Sequence, residues 1–169
     1  MPLLGLHTRG RSLLNWPILV TLSGILFLIY IFRKKQILVT DAPIILNLLL
    51  SSGLNETLSR FAVAQAAHET GGFTSAIYKS NKNAFGMKFA GQVNAMGVKN
   101  GYANYSAVQY SVADFVAWYT RHRISIFSLP LFITNLQSYV RFLKNNQYFE
   151  ADEAAYLKGV TYFYNQIFG

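Results

Sequence analysis

No cysteine occurs in this chain, which excludes disulfides, thiolate metal sites and a cysteine nucleophile. Histidine is scarce too. His7, His68 and His122 are scattered, so a zinc site is not expected, and neither a metal nor a cofactor is implied. Acidic residues are the most telling shortage: seven Asp and Glu stand against fifteen Lys and Arg, and none of the seven precedes Asp41. From Leu13 to Phe32 charge is missing altogether, over twenty consecutive residues.

That uncharged run, LLNWPILVTLSGILFLIYIF, would as a helix rising ~1.5 Å per residue cross a hydrocarbon core of ~30 Å. Pro17 falls in its first turn, where a missing N–H costs little, and Trp16 and Tyr30 sit near its ends, where amphipathic rings favour the interface. A cleaved signal peptide would have a shorter apolar core and a small-x-small cleavage site, whereas here Arg33, Lys34 and Lys35 follow at once. Residues 13–32 are therefore expected to be one transmembrane anchor in the lipid bilayer, after a tail at 1–12 and before a basic juxtamembrane segment at 33–40. Arg9, Arg11 and the amino terminus balance the basic residues beyond the run, so charge alone does not orient it.

The 41–169 stretch carries ten Lys and Arg against all seven acids, a modest positive charge that suits an anionic polymer or an ordinary soluble surface equally. No nucleic acid partner is expected. Its length suffices for one domain with one core, and no linker-like composition divides it. Asp41-Ala42-Pro43 looks like a helix start with Asp41 as cap, and the apolar run Ile44 to Leu50 ends at Ser51-Ser52-Gly53. Asn55 can cap a second helix in which Leu58, Phe61, Ala62, Gln65 and Ala66 share a face, stopped by Gly71-Gly72. Between Gly72 and Tyr110 Gly, Asn and aromatic residues dominate, and Asn100-Gly101 favours a tight hairpin turn. Ser111-Val112-Ala113-Asp114 reads as a capping-box start for a helix to about Phe127, with Pro130 marking the break after it. Thr134 or Asn135 opens a helix through Lys144, and Asp152 caps a last one in which Tyr156, Val160, Phe163 and Ile167 repeat at helical spacing. The expected class is α+β, mostly helical, with one small sheet.

With so few carboxylates, the search for a general acid is short. Asp41 and Asp152 read as N-caps, Glu56 and Glu153 fall in first turns, and Asp114 completes a capping box, all places the helix dipole favours. Glu69 and Glu150 remain. Glu69 ends its helix, where unpaired carbonyls oppose a negative charge, so it should resist ionisation, more so if desolvated beside Phe73, Phe85 and Tyr105. A glycosidase acid needs that property to hold a proton for the leaving oxygen.

Ala64-Gln65-Ala66-Ala67-His68-Glu69-Thr70-Gly71-Gly72-Phe73, followed by Asn83-Ala84-Phe85-Gly86-Met87-Lys88, resembles the N-acetylglucosaminidases of glycoside hydrolase family 73, whose members read roughly AQAALESGWG and then N-x-F-G-I-K. Tyr102-Ala103-Asn104-Tyr105 and Ser111-Val112-Ala113-Asp114-Phe115 resemble the family's F-R-x-Y and S-i-x-D-y stretches. Tyr148-Phe149-Glu150-Ala151-Asp152 through Tyr156 resembles its Y-A-T-D-P-x-Y segment at slightly longer spacing. The resemblance runs from about Leu58 to Phe168. It implies a lysozyme-like fold, peptidoglycan glycan strands as partner, Glu69 as general acid with Tyr105 beside it, and Asn83, Phe85, Gly86, Lys88 and Tyr102 lining the sugar groove. Phe85 and Phe115 suit core packing as well.

One departure bears on mechanism: between Glu69 and Asp114 there is no Asp or Glu, whereas many family members place a second carboxylate there. Glu150 or Asp114 could approach from another element, the substrate's acetamido group could act as nucleophile, or a single acid/base could suffice, the scheme favoured by this reading. Glu69-Thr70-Gly71-Gly72-Phe73 also resembles, more faintly, the E-S-x-F start of lytic transglycosylases. The expected function is peptidoglycan cleavage by a single-pass enzyme facing the wall, from a bacterial inner membrane or a membrane-containing virion. A lytic transglycosylase and a non-catalytic wall-binding or virion structural protein are the alternatives.

Overall fold

The computed structural model describes residues 24, 26, 27, 41–125 and 133–169. The chain divides after Lys34 into two units, and every element below belongs to the second. Among the described residues no helix is long and apolar enough to cross a membrane. The expected 13–32 anchor lies outside the described residues apart from Gly24, Leu26 and Phe27, and so do Phe127 and the expected break at Pro130.

Helix α1 covers 41–51; Asp41 is itself helical rather than the non-helical cap expected of it. Helix α2 (Glu56–Glu69) follows, with Asn55 as its cap, the Asn55 side chain accepting from Leu58 N–H. The helix is buried almost all round, from Leu58 and Ser59 through Phe61 to Ala67, with only Arg60 breaking the run. Such a helix runs through the core rather than over it. Its alanines let neighbouring helices approach closely, and α6 (Glu153–Phe168) and α5 (Leu136–Asn145) both pack on it and on each other.

A six-residue helix, α3 (Ala76–Asn81), was not legible in the sequence. Ser75 caps it, and Lys82 ends it in the left-handed region at φ 53°. Strands β1 (Gly97–Lys99) and β2 (Tyr102–Asn104) pair antiparallel, Lys99 opposite Tyr102, around Asn100 and Gly101 at φ 56° and 79°. Two successive positive φ values are the signature of the turn that an Asn-Gly pair permits. Helix α4 (Val108–Ser125) starts three residues before the expected position. Ser111 is no cap: its hydroxyl donates to Val108 O and accepts from Ala84 N–H, tying α4 to the segment before the hairpin. Asn135 caps α5 in a reciprocal box with Ser138, and Asp152 caps α6.

The core joins Ile45 and Leu49 of α1, Phe61 and Ala66 of α2, Phe115 of α4, Tyr139 and Leu143 of α5, and Val160 of α6. Phe85 belongs to it as well, stacked on Phe115 with ring centroids 3.9 Å apart. The 70–107 stretch, here termed the β-lobe, is thus moored to the helical body by a fully buried aromatic pair.

Candidate active site

Glu69 is the last residue of α2, and the residues after it turn the chain away sharply. Gly71, Gly72 and Phe73 all have positive φ, at 58°, 70° and 64°. For Phe73 that conformation costs roughly 1–2 kcal/mol. It is held by a buried ring and by an N–H that donates to Thr70 Oγ1 at 2.9 Å. The same loop returns N–H groups to the helix end: Thr70 N to Ala66 O, Gly72 N to Ala67 O and Gly71 N to His68 O. Three of the last four carbonyls of the helix, those of Ala66, Ala67 and His68, are therefore bonded. The carboxyl is indeed pushed above its usual range, but burial is the main cause rather than the helix end.

Opposing that rise, Tyr156 of α6 donates its hydroxyl to Glu69 Oε1 at 2.5 Å. Tyr156 is buried, stacked on Phe149 with centroids 3.7 Å apart and met edge-on by His68. The His68 ring in turn lies on the backbone of α6 at Gly159, where a Cβ would come within 2.3 Å of His68 Cε1. Burial, with the Glu69 charge next in weight, lifts the Tyr156 phenol far above its ordinary range, so it serves as a donor throughout the working pH range. Oε2, the other carboxyl oxygen, faces Gly86, where a Cβ would sit 3.0 Å from it on a backbone at φ 61°. Glycine is required there for both space and conformation. Oε1 is engaged by Tyr156, and among the described residues no hydrogen-bond donor reaches Oε2.

Glu69 opens onto a groove of about 410 Å³. The β-lobe supplies Gly86, Met87, Lys88, Ala90, Gln92 and Tyr102, α4 supplies Trp118, and the loop between α5 and α6 supplies Gln147 to Glu150. Tyr148 bridges the two sides: its hydroxyl donates to Phe85 O at 2.7 Å and its ring meets Trp118 edge-on at 4.7 Å. Aromatic faces beside amide and carboxyl groups suit a pyranose, whose C–H faces pack on rings while its hydroxyl and acetamido groups hydrogen-bond.

Of the residues singled out from sequence, Glu69, Gly86, Lys88, Tyr102 and Glu150 share this groove. Four others do not line it. Tyr105 is buried, its hydroxyl without a partner at hydrogen-bond distance, and burial with the Asp114 charge nearby keeps that phenol protonated. Phe85 is core. Asn83 is buried as a clamp, its amide donating to Met87 O and Ala103 O while its oxygen accepts from Met87 N–H. Asp114, also buried, accepts from the side chain of Asn94 at 2.7 Å. Tyr156, Tyr148, Phe149 and Trp118 were not selected as site residues, although the first three stand in the segment that resembles Y-A-T-D-P-x-Y. Among the described residues no group of three His, Asp or Glu side chains could hold a metal.

Comparison with known proteins bears on this geometry. The chain matches no curated protein. A structure described as a type VI secretion system effector-immunity complex from Pseudomonas protegens shares the fold at a TM-score of 0.58 and 12% identity, with 79% of this chain and 93% of that chain covered. The model of the glucosaminidase family, described as mannosyl-glycoprotein endo-beta-N-acetylglucosaminidase, matches residues 51–167, which include all of α2, the β-lobe and the groove. The chain belongs to the glucosaminidase family, a family of glycoside hydrolases.

Proposed function

We propose that the protein cleaves the glycan strand of peptidoglycan as an endo-β-N-acetylglucosaminidase, with Glu69 as its general acid. The observation that carries this reading is a half-buried carboxyl that resists ionisation, held at Oε1 by Tyr156 and free at Oε2 beside a groove rimmed by aromatic rings. Glu69 protonates the glycosidic oxygen as the bond to the anomeric carbon breaks, and water or the substrate's acetamido oxygen completes the displacement. As the proton leaves, negative charge grows on Glu69, and the Tyr156 hydroxyl already faces it without reorganisation. Glu150 is the other carboxylate on the groove. Its side chain is 96% exposed and lies 3.7 Å from Lys88 Nζ, a setting that favours a one-acid scheme. In this proposal residues 13–32 anchor the domain to a bilayer, bacterial or viral, with the domain on the side of the wall.

The test is mass spectrometry of fragments released from purified peptidoglycan by the full chain and by Glu69→Gln. Fragments with reducing-end N-acetylglucosamine, lost in the variant, are expected. Anhydro-muramyl ends would make the enzyme a lytic transglycosylase, and equal inertness of both proteins would make it a binding protein.

A further inference from the structure

The wall that faces Glu69 is charged in one sense only. From Thr70 to Ala113 the chain holds Lys79, Lys82, Lys88 and Lys99 and no Asp or Glu. Of these lysines only Lys88 lines the groove. Its backbone is held firmly: Asn83 clamps the neighbouring Met87 on both sides, while the Gln92 amide donates to Lys88 O and its oxygen accepts from Ala90 N–H. The side chain on this fixed base is 77% exposed, with one loose anionic partner, Glu150, across the groove mouth. An ion pair so exposed contributes little, and a competing carboxylate can replace it at small cost.

We infer that Lys88 is a receptor for a carboxylate carried by the substrate, exchanging Glu150 for it when a glycan enters, so that the groove selects acidic strands over neutral ones. This rests on the peptidoglycan reading above and specifies its substrate class. Muramyl units present such groups in two ways, as free carboxylates of the stem peptide or as the lactyl carboxylate once the peptide is removed. Glu150 then acts as a placeholder that keeps the empty groove's cation paired. An uncharged N-acetylglucosamine polymer offers nothing in exchange and leaves Lys88 and Glu150 together across the opening.

The experiment measures co-sedimentation of the full chain, in its Glu69→Gln form, with insoluble peptidoglycan. Three preparations are compared: native, with carboxylates converted to amides, and with stem peptides removed by an amidase. Native material is expected to bind about three- to fivefold more tightly than the amidated form, the scale of one solvated ion pair. Adding Lys88→Gln should bring that ratio to one, Glu150→Gln should widen it, and Lys79→Gln, on the same lobe but off the groove, should leave it alone. Loss of Lys88-dependent binding when the peptides are removed assigns the stem peptide alone; its persistence shows that the lactyl carboxylate, freed by the amidase, serves as well. A ratio that survives Lys88→Gln, or is absent from the parent, overturns the inference. Because binding is read in an acid-less variant, it stands apart from the cleavage test. Discrimination with no fragments released by wild type would sink the enzyme reading and keep this one.

Discussion

Replacing Tyr156 with phenylalanine removes one oxygen from the centre of the site and little else. The ring can remain stacked on Phe149 and edge-on to His68, so the α2–α6 contact is kept. What is lost is the hydrogen bond to Glu69 Oε1. A hydrogen bond to a charged group contributes about 1.5–3 kcal/mol. Its full value appears only when Glu69 is ionised, which is the state approached as the acid gives up its proton. Most of that energy is therefore lost from the transition state, and kcat should fall roughly tenfold to a hundredfold. Stability near neutral pH should fall by only ~1 kcal/mol, since water in the groove can replace the donor. The bond also lowers the pKa of Glu69 against the effect of burial. Without it the carboxyl holds its proton to higher pH, and the alkaline limb of the rate profile moves upward. Steady-state kinetics across pH, with denaturation curves alongside, measure all three effects. A Tyr156→Phe enzyme with wild-type kcat and an unmoved alkaline limb would refute the reasoning.

Gly86→Ala should lower kcat by roughly a hundredfold, because the new Cβ at 3.0 Å displaces Oε2 and misplacement of that order is costly in rate; kinetics beside a thermal melt would show whether activity falls more than stability. Glu69→Gln should be more stable than wild type near neutral pH. The folded-state pKa of Glu69 is raised above 4.5, so the wild type's relative stability is fully present below 4.5 and is lost as pH rises through the raised value. A stability gap that ignores pH would contradict the burial argument. Gly159→Ala, which in an open helix would gain up to about 1 kcal/mol, should instead cost about 1–3 kcal/mol by driving a methyl into His68. A rise in melting temperature would show that the two helices can part freely.

What could be read from the chain alone was local. Asn55, Asn135 and Asp152 cap their helices because the partner N–H lies three residues away, and Asn100-Gly101 turns the hairpin because its conformation is set by those two residues. Glu69 stood out because the other carboxylates had structural duties or, like Glu150, lay outside the helix end. What could not be read depends on contacts distant in sequence. Ser111 resembles a cap, yet its hydroxyl is used by Ala84, 27 residues away, so α4 begins earlier. Tyr105 and Tyr102 share a motif. Alternation along β2 and beyond leaves Tyr102 on the groove and buries Ala103 and Tyr105. Tyr156 comes to Glu69 only because α6 docks on α2 across Gly159. The rise in the Glu69 pKa was anticipated in direction from two causes, the helix end and desolvation, and burial is the main one, since the Gly71-Gly72 loop bonds three of the last four carbonyls of α2.

Asn83 lends the β-lobe a property that none of its strands supplies. By bonding Met87 on both sides and Ala103 on one, its amide stands in for a missing peptide unit and ties off the loop between residues 88 and 102 at its neck, where Ala103 N–H also meets Met87 O. Beyond that neck the loop is fastened again at two points, Asn94 to Asp114 of α4 and the Lys99 carbonyl to Asn81 of α3, so what is left open to change is its exposed side chains, Lys88 and Val98 among them. Substrate preference can therefore be retuned at those exposed positions while Glu69 and Tyr156 keep their places.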